Sequence, residues 1–161
     1  MPGPGDIYAI VPEGAVPEGT KIKLAPLAQS DFTTELPPEL AFIGAVSLDM
    51  GDVVATKELK LSIANPEGSG ITPDGQIFVL KQIEVAGRPE YALNNIAHLA
   101  DGRITTASPP FPGAVASSRY VWVKPMVPMS VTRLYTSTGL LDDIPIDSFG
   151  IVYGWNESFR L

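Results

Sequence analysis

The chain of 161 residues has no cysteine and a single histidine, His98. The lack of cysteine excludes a disulfide scaffold and a thiolate metal site, and it leaves the redox compartment open. No apolar run approaches the ~20 residues that a membrane-spanning helix requires, so the sequence predicts no transmembrane segment. Residues 1–5 lack the basic region and apolar core of a signal peptide, and we interpret them as a linker that enters a domain.

Positive charge is also scarce. The chain has 11 Lys and Arg against 18 Asp and Glu, a net charge of −7, and 45% of its residues are hydrophobic. This composition is too apolar for intrinsic disorder. It disfavours nucleic acid and anionic membranes as partners, because phosphate binding needs clustered cations. We therefore expect a protein partner, or neighbouring domains of the same chain, with the oligomeric state left open.

Proline and glycine are abundant, with 16 and 15 residues, and they divide the chain into short apolar stretches. Few windows are long enough for a helix, and the best is a single turn near Ser30–Leu36. Turn signals at short intervals favour an all-β fold, an antiparallel β-sandwich of roughly eight to ten short strands. The predicted strands are Asp6–Val11, Lys21–Ala25, Phe42–Leu48, Glu58–Ile63, Ile77–Val85, Tyr91–Leu99, Ile104–Thr106 and Tyr120–Lys124, followed by Val131–Tyr135 and Phe149–Tyr153.

The alternation of apolar and polar residues assigns faces to these strands. In Glu58–Ile63 every second residue is apolar, which places the apolar side chains on one face of the sheet. Ile77–Leu80 is apolar at every position, so we expect both of its faces to be covered. Further along the same strand, Ile83 and Val85 are expected on the buried side. Asp101–Gly102 lies between two predicted strands and indicates a tight hairpin.

The domain organisation is marked by proline. The two prolines of Pro125–Pro128 indicate a stiff linker after the β-sandwich, which we place at residues 6–124. The remaining residues, 129–161, are too few for a separate domain. They are either extra strands that pack on the sandwich or the start of a next module. We favour packing, because their apolar side chains need cover.

The order of several segments carries a resemblance. Val11–Leu24 combines a strand, a Pro-Glu-Gly-Ala turn, a Pro-Glu-Gly-Thr turn and a second strand. Leu59–Pro66 is a strand that ends at proline, and Thr105–Gly113 precedes the closing strand Tyr120–Val123. Over about residues 5–124 this order resembles ZU5-type domains, in particular bacterial surface modules. The resemblance implies a β-sandwich that makes protein contacts within a larger secreted or envelope protein.

The function that the resemblance implies is a non-catalytic protein-interaction or structural module of a secreted or cell-surface protein. It would act by surface complementarity, and no enzyme activity is expected. The expected location is extracellular or the cell envelope, although the sequence is also compatible with the cytoplasm. Some relatives carry a self-cleaving His-Phe-Ser site. Here Leu99 and Ala100 follow His98, so no self-cleavage is implied. A purely architectural spacer is a further alternative.

Two other classes of function remain open. A hydrolytic enzyme would need His98 in a cleft beside a hydroxyl and a carboxylate, whereas a strand histidine is more often a local hydrogen-bonding residue. A carbohydrate-binding module would stack sugars on exposed aromatic side chains. Trp155, Tyr153 and Trp122 are the candidates for ligand binding, and Trp155 is the best placed for exposure. Aromatic residues in strands more often belong to the core. The other tyrosines that could join such a platform are Tyr8, Tyr91, Tyr120 and Tyr135.

A calcium site is the one cofactor hypothesis. Asp49 and Asp52 place two carboxylates around a turn, and Ca²⁺ binds several oxygen ligands. The same pair is also typical of a solvated turn. No other metal or cofactor is expected, and no phosphate-binding glycine loop is present.

Overall fold

The computed structural model describes residues 6–107 and 112–126, together with the backbone of three short strands outside these ranges. Within these residues the chain is all-β, with one 3₁₀ turn at Gln29–Asp31. The strands are β1 (Pro2–Gly3), β2 (Ile7–Ile10), β3 (Lys23–Leu27), β4 (Leu40–Asp49), β5 (Lys60–Ala64), β6 (Phe78–Val85), β7 (Arg88–Ala100), β8 (Arg103–Thr106), β9 (Ser118–Pro125), β10 (Tyr135–Thr136) and β11 (Gly139–Leu140).

One antiparallel sheet contains β1 to β9, in the order β1-β2-β5-β8-β7-β6-β9-β4-β3. Strand β7 joins the two halves of the sheet, β1-β2-β5-β8 and β6-β9-β4-β3. Its residues Arg88–Ile96 pair with β6, and Ala97–Ala100 pair with β8. The two ends of the sheet approach each other, since β3 contacts β1 and β2. The sheet is therefore nearly closed and barrel-like. The short strands β10 and β11 pair with each other.

The predicted all-β, antiparallel class is confirmed. All eight strands predicted between residues 6 and 124 are present, with ends displaced by a few residues. The helical turn predicted near Ser30–Leu36 is the 3₁₀ turn at Gln29–Asp31. The predicted strand Phe149–Tyr153 and most of Val131–Tyr135 lie outside the described residues.

Two hairpins have turns in which both central residues adopt a positive φ. Asp101 and Gly102 have φ angles of 53° and 75°, and Ala86 and Gly87 have φ angles of 52° and 78°. Two consecutive central residues with positive φ are typical of the type I′ turn, which matches the right-handed twist of the flanking strands. The Asp101–Gly102 hairpin was predicted from its sequence.

The main core fills the interior of the sheet. Trp122 and Tyr120 of β9 are its largest fully buried side chains, and the apolar face predicted for Glu58–Ile63 points into it. The core residues are Ile7, Ala9, Ala15, Leu24, Val46, Leu48, Met50, Ala55, Leu59, Leu61, Ile63, Ile77, Val79, Ala97, Ile104, Ala114, Tyr120 and Trp122.

Strand β6 is covered on both faces at its start. Val79 and the preceding residue Ile77 join the interior core, whereas Phe78 and Leu80 join a second cluster on the outer face. The predicted burial of Val85 is wrong, because its side chain is 47% exposed. The reason is that β6 extends past its neighbour: it pairs with β9 only over residues 78–81.

Candidate functional site

A segment that contains no strand crosses the outer face of the sheet, and we call it the strap (Ala28–Glu39). Its apolar residues Phe32 and Leu36 pack on the outer cluster of the sheet. The buried members of that cluster come from β4, β6 and β9 and are Ala45, Phe78, Leu80, Val121 and Val123. The strap thus gives one half of the sheet a second apolar layer.

Hydrogen bonds attach the strap to β7. The Tyr91 hydroxyl donates to the carbonyl oxygen of Thr34 at 2.7 Å. The Thr34 hydroxyl in turn donates to the carbonyl oxygen of Pro89 at 2.8 Å. These two bonds hold the middle of the strap to the arm of the β6–β7 hairpin.

Contacts with β9 and within the strap fix its other parts. Arg119 donates from Nη1 to the carbonyl oxygen of Asp31 at 2.9 Å, and its guanidinium lies 5.7 Å from the ring centre of Phe32. The Asp31 carboxylate accepts the backbone N–H of Ala28 at 2.7 Å. At the end of the strap, the N–H of Met126 donates to the Glu39 carbonyl at 2.6 Å. The strap is therefore held along its length.

A pocket of about 350 Å³ opens between the strap and the sheet. Three of its walls are aromatic, and the rings of Phe32 and Tyr91 lie 6.2 Å apart at an angle of 45°. Burial raises the pKa of Tyr91 to about 12, so its hydroxyl is neutral at physiological pH. The lining residues are Gln29, Phe32, Thr34, Glu35, Leu36, Phe42 and Tyr91. This lining offers apolar contact together with a few polar groups, as in a binding pocket.

A second pocket, of about 340 Å³, lies where β9 ends and has no aromatic wall. Lys124 and Met126 contribute to its lining. The Lys124 ammonium already donates to the carbonyl oxygen of Ser69 at 3.2 Å. The pocket under the strap is the better candidate, because it offers more groups that can recognise a ligand.

Of the three aromatic residues proposed for ligand binding, the structure describes only Trp122. Trp122 has 0% exposure and lies in the interior core, so a sugar ring has no surface there on which to stack. Tyr153 and Trp155 lie outside the described residues. The Phe32 and Tyr91 rings of the strap pocket are tilted by 45° to each other, whereas a flat sugar face calls for a coplanar pair.

The two aspartates of the calcium hypothesis belong to a turn. The Asp49 carboxylate accepts the N–H of Gly51 at 2.9 Å, and Gly51 has a φ of 64°. Asp52 is exposed on the far side of this turn. Among the residues that the structure describes, no group of three or more His, Asp and Glu side chains is placed to hold a metal. The calcium site stays a prediction.

His98 lies on the exposed face of β7, opposite Thr105 of β8. The Thr105 hydroxyl donates to the Ser62 hydroxyl at 2.9 Å. The His98 imidazole makes no hydrogen bond or ion pair with residues 6–107 or 112–126. Within those residues, then, no hydroxyl or carboxylate orients the imidazole.

Sequence reasoning did not identify the strap pocket. Tyr91 was one of seven aromatic residues considered, and Phe32, Phe42 and Glu35 carry no motif. A signal was nevertheless present, because the unbroken apolar run of Ile77–Leu80 implies a cover on the outer face as well as on the inner one. What the sequence could not show is which segment supplies that cover.

No family of proteins, no curated protein and no solved structure matches the chain. In the part of the chain that the structure describes, no helix is long and apolar enough to cross a membrane.

Proposed function

We propose that this chain is a non-catalytic interaction module that takes a side chain of a protein partner into the pocket under the strap. The single observation that carries the proposal is the pocket of about 350 Å³ with walls from Phe32, Phe42 and Tyr91. Aromatic walls provide a large contact area and lose little side-chain entropy on binding. The hydrogen bonds that hold the strap favour a preformed pocket, which lowers the entropic cost of binding.

The second part of the proposal concerns the type of module. We propose that the sheet is a ZU5-like sandwich whose layers, β1-β2-β5-β8-β7 and β7-β6-β9-β4-β3, share β7. The opening motif supports this proposal, because the turns predicted at Gly14 and Gly19 are formed, with φ angles of 75° and 87°. Their hydrogen bonds run from Ala15 N to Pro12 O and from Thr20 N to Pro17 O. A place in a larger secreted or surface protein is part of the same proposal.

A peptide selection tests the function directly. The full chain would be immobilised and exposed to a random displayed peptide library, and calorimetry would give the Kd of each enriched peptide. We expect Phe42→Ala to weaken binding by at least about tenfold, as for a residue at the centre of an interface. Leu36→Ala provides a second variant if Phe42→Ala does not fold.

Two control variants belong to this experiment. Val54→Ala changes a side chain that is 66% exposed and does not line the pocket, and His98→Ala removes the imidazole. Both are expected to bind the peptides as the original chain does. Equal binding by the pocket variants would contradict the proposed site. Failure to enrich any peptide, with binding to a glycan array instead, would favour the carbohydrate-binding alternative.

A further inference from the structure

The strap pocket contains one ionised group without a partner. Glu35 lines the pocket, is exposed, and forms no hydrogen bond or ion pair with any described residue. The neighbouring Asp31 differs, because its carboxylate accepts the Ala28 N–H. A pocket with three aromatic walls and a free carboxylate has the chemistry of a cation site, since the faces of aromatic rings are electron-rich.

Two arginine side chains already lie over aromatic rings in this chain. The Arg119 guanidinium lies 5.7 Å from the ring centre of Phe32, a wall of the pocket. The Arg103 guanidinium lies 4.3 Å from the ring centre of Tyr8 on the other half of the sheet. The first of these contacts places a guanidinium over a ring that also forms a wall of the pocket.

The charge around the pocket favours an incoming cation. The strap carries three acidic residues, Asp31, Glu35 and Glu39, and no lysine or arginine. Arg119 is a cation packed on the strap, and it is already engaged with the Asp31 carbonyl and the Phe32 ring. A positively charged partner would therefore meet an acidic rim, and the net charge of −7 would steer it towards the chain.

We propose that the strap pocket receives an arginine side chain of the protein partner, with its guanidinium against the aromatic walls and paired with Glu35. This inference rests on the proposed function and names the occupant of that same pocket. Arginine fits better than lysine because its guanidinium is planar, weakly hydrated and able to form two hydrogen bonds with one carboxylate. The alkyl stem of the side chain would pack on Leu36.

A matched pair of small probes tests the inference. n-Butylguanidinium reproduces the arginine side chain together with its Cα, and n-butylurea has nearly the same shape without the charge. In an NMR titration of the full chain, we expect n-butylguanidinium to shift the amide signals of residues 32–36. We also expect n-butylguanidinium to bind about tenfold more tightly than n-butylurea. n-Butylammonium should bind more weakly than n-butylguanidinium.

Charge variants extend the test. Glu35→Gln should reduce the preference for n-butylguanidinium over n-butylurea by about tenfold, because it removes the paired charge and keeps the size of the side chain. Glu67→Gln is the matched control, since Glu67 is exposed and does not line the pocket. It should leave the preference unchanged.

Other outcomes separate this inference from the proposed function. Equal binding of n-butylurea and n-butylguanidinium would overturn the arginine site, while enriched peptides that lose affinity in Phe42→Ala would still support the pocket. Binding to phosphatidylcholine vesicles that free phosphocholine displaces would overturn it in favour of a lipid headgroup. If neither the probes nor any peptide shifts the strap signals, both proposals fail.

Discussion

The Tyr91 hydroxyl donates a hydrogen bond of 2.7 Å to the carbonyl oxygen of Thr34, and this bond joins β7 to the strap. The two residues are 57 positions apart in the chain. Their contact sets the position of one aromatic wall of the pocket relative to the segment that covers it. The stability of the strap and the shape of the pocket therefore depend on the same hydrogen bond.

Removing this hydroxyl should destabilise the protein without disturbing its core. We expect Tyr91→Phe to lower the free energy of unfolding by about 1 kcal/mol, since a half-buried carbonyl loses its donor. Urea unfolding gives the measurement. Tyr8→Phe is the control, because no hydrogen bond to the Tyr8 hydroxyl occurs among residues 6–107 and 112–126. A change as large in the control as in Tyr91→Phe would contradict the assigned role.

Stability should fall in alkali because of buried tyrosines. Burial raises the pKa of Tyr91 from 10.0 to about 12 and also raises that of Tyr120. The unfolded chain loses these protons near the usual tyrosine pKa, while the folded chain keeps them. The free energy of unfolding that these groups contribute is therefore constant below about pH 10 and falls as the pH rises towards about 12.

The variant Tyr91→Phe measures how much Tyr91 contributes to this loss of stability in alkali. Urea unfolding between about pH 8 and about pH 11.5 should show a shallower fall in the variant than in the original chain. The lysines titrate in the same range, but they are common to both proteins and cancel in the difference. Identical pH profiles would show that Tyr91 ionises equally readily in the folded and unfolded states.

The turn of the β6–β7 hairpin offers a stabilising substitution. Ala86 has a φ of 52°, which is unfavourable for a residue with a Cβ atom. We expect Ala86→Gly to raise the free energy of unfolding by about 0.5–1 kcal/mol and to raise Tm. Ala25→Gly, in the extended strand β3, makes the same chemical change and should lower stability by a similar amount. Changes of opposite sign in the free energy of unfolding would distinguish relief of backbone strain from a general effect of glycine.

Arg103 connects three strands on the outer face of the other half of the sheet. It donates to the Ser62 hydroxyl at 2.9 Å and to the Asp6 carbonyl at 2.8 Å, and it stacks on Tyr8. We expect Arg103→Lys to cost about 2 kcal/mol, because lysine cannot reproduce these contacts. Hydrogen exchange of the β2 amides should accelerate at the same time.

We expect the ion pair of Arg103 to contribute much less to stability than its other contacts. Its Nη1 lies 3.1 Å from the carboxylate of Asp6, which is 59% exposed. Asp6→Asn should therefore change the free energy of unfolding by less than about 0.5 kcal/mol, as is usual for exposed pairs. Asparagine also tolerates the positive φ of this position. An effect equal to that of Arg103→Lys would mean that the charge pair is the main contact.

Local sequence patterns predict most of the fold. The eight main strands follow from short apolar stretches between turns, and the Asp101–Gly102 hairpin follows from its dipeptide. Alternation also predicts the buried face of β5. These features depend on residues close together in the chain, and for this reason they can be read without knowledge of the tertiary structure.

The remaining features depend on contacts between distant segments. Alternation predicted that Val85 is buried, but its exposure follows from the end of the pairing between β6 and β9, which strand patterns do not encode. Likewise, the pocket requires Phe32 and Tyr91 to meet across 59 positions. Trp122 is an intermediate case. A tryptophan in a strand either packs in the core or offers its ring to a ligand, and the tertiary structure decides for Trp122 by placing it on the inner face.

The near-closure of the sheet affects how the chain behaves in a crowded solution. Unpaired strand edges are the usual starting points of intermolecular β-aggregation. Here one terminal strand, β3, lies against β1 and β2 from the other end of the sheet, and it carries Pro26, which has no N–H to donate. Because the two edges of the described sheet face each other and Pro26 interrupts one of them, we expect the protein to resist fibril formation at high concentration, even with its high content of apolar residues.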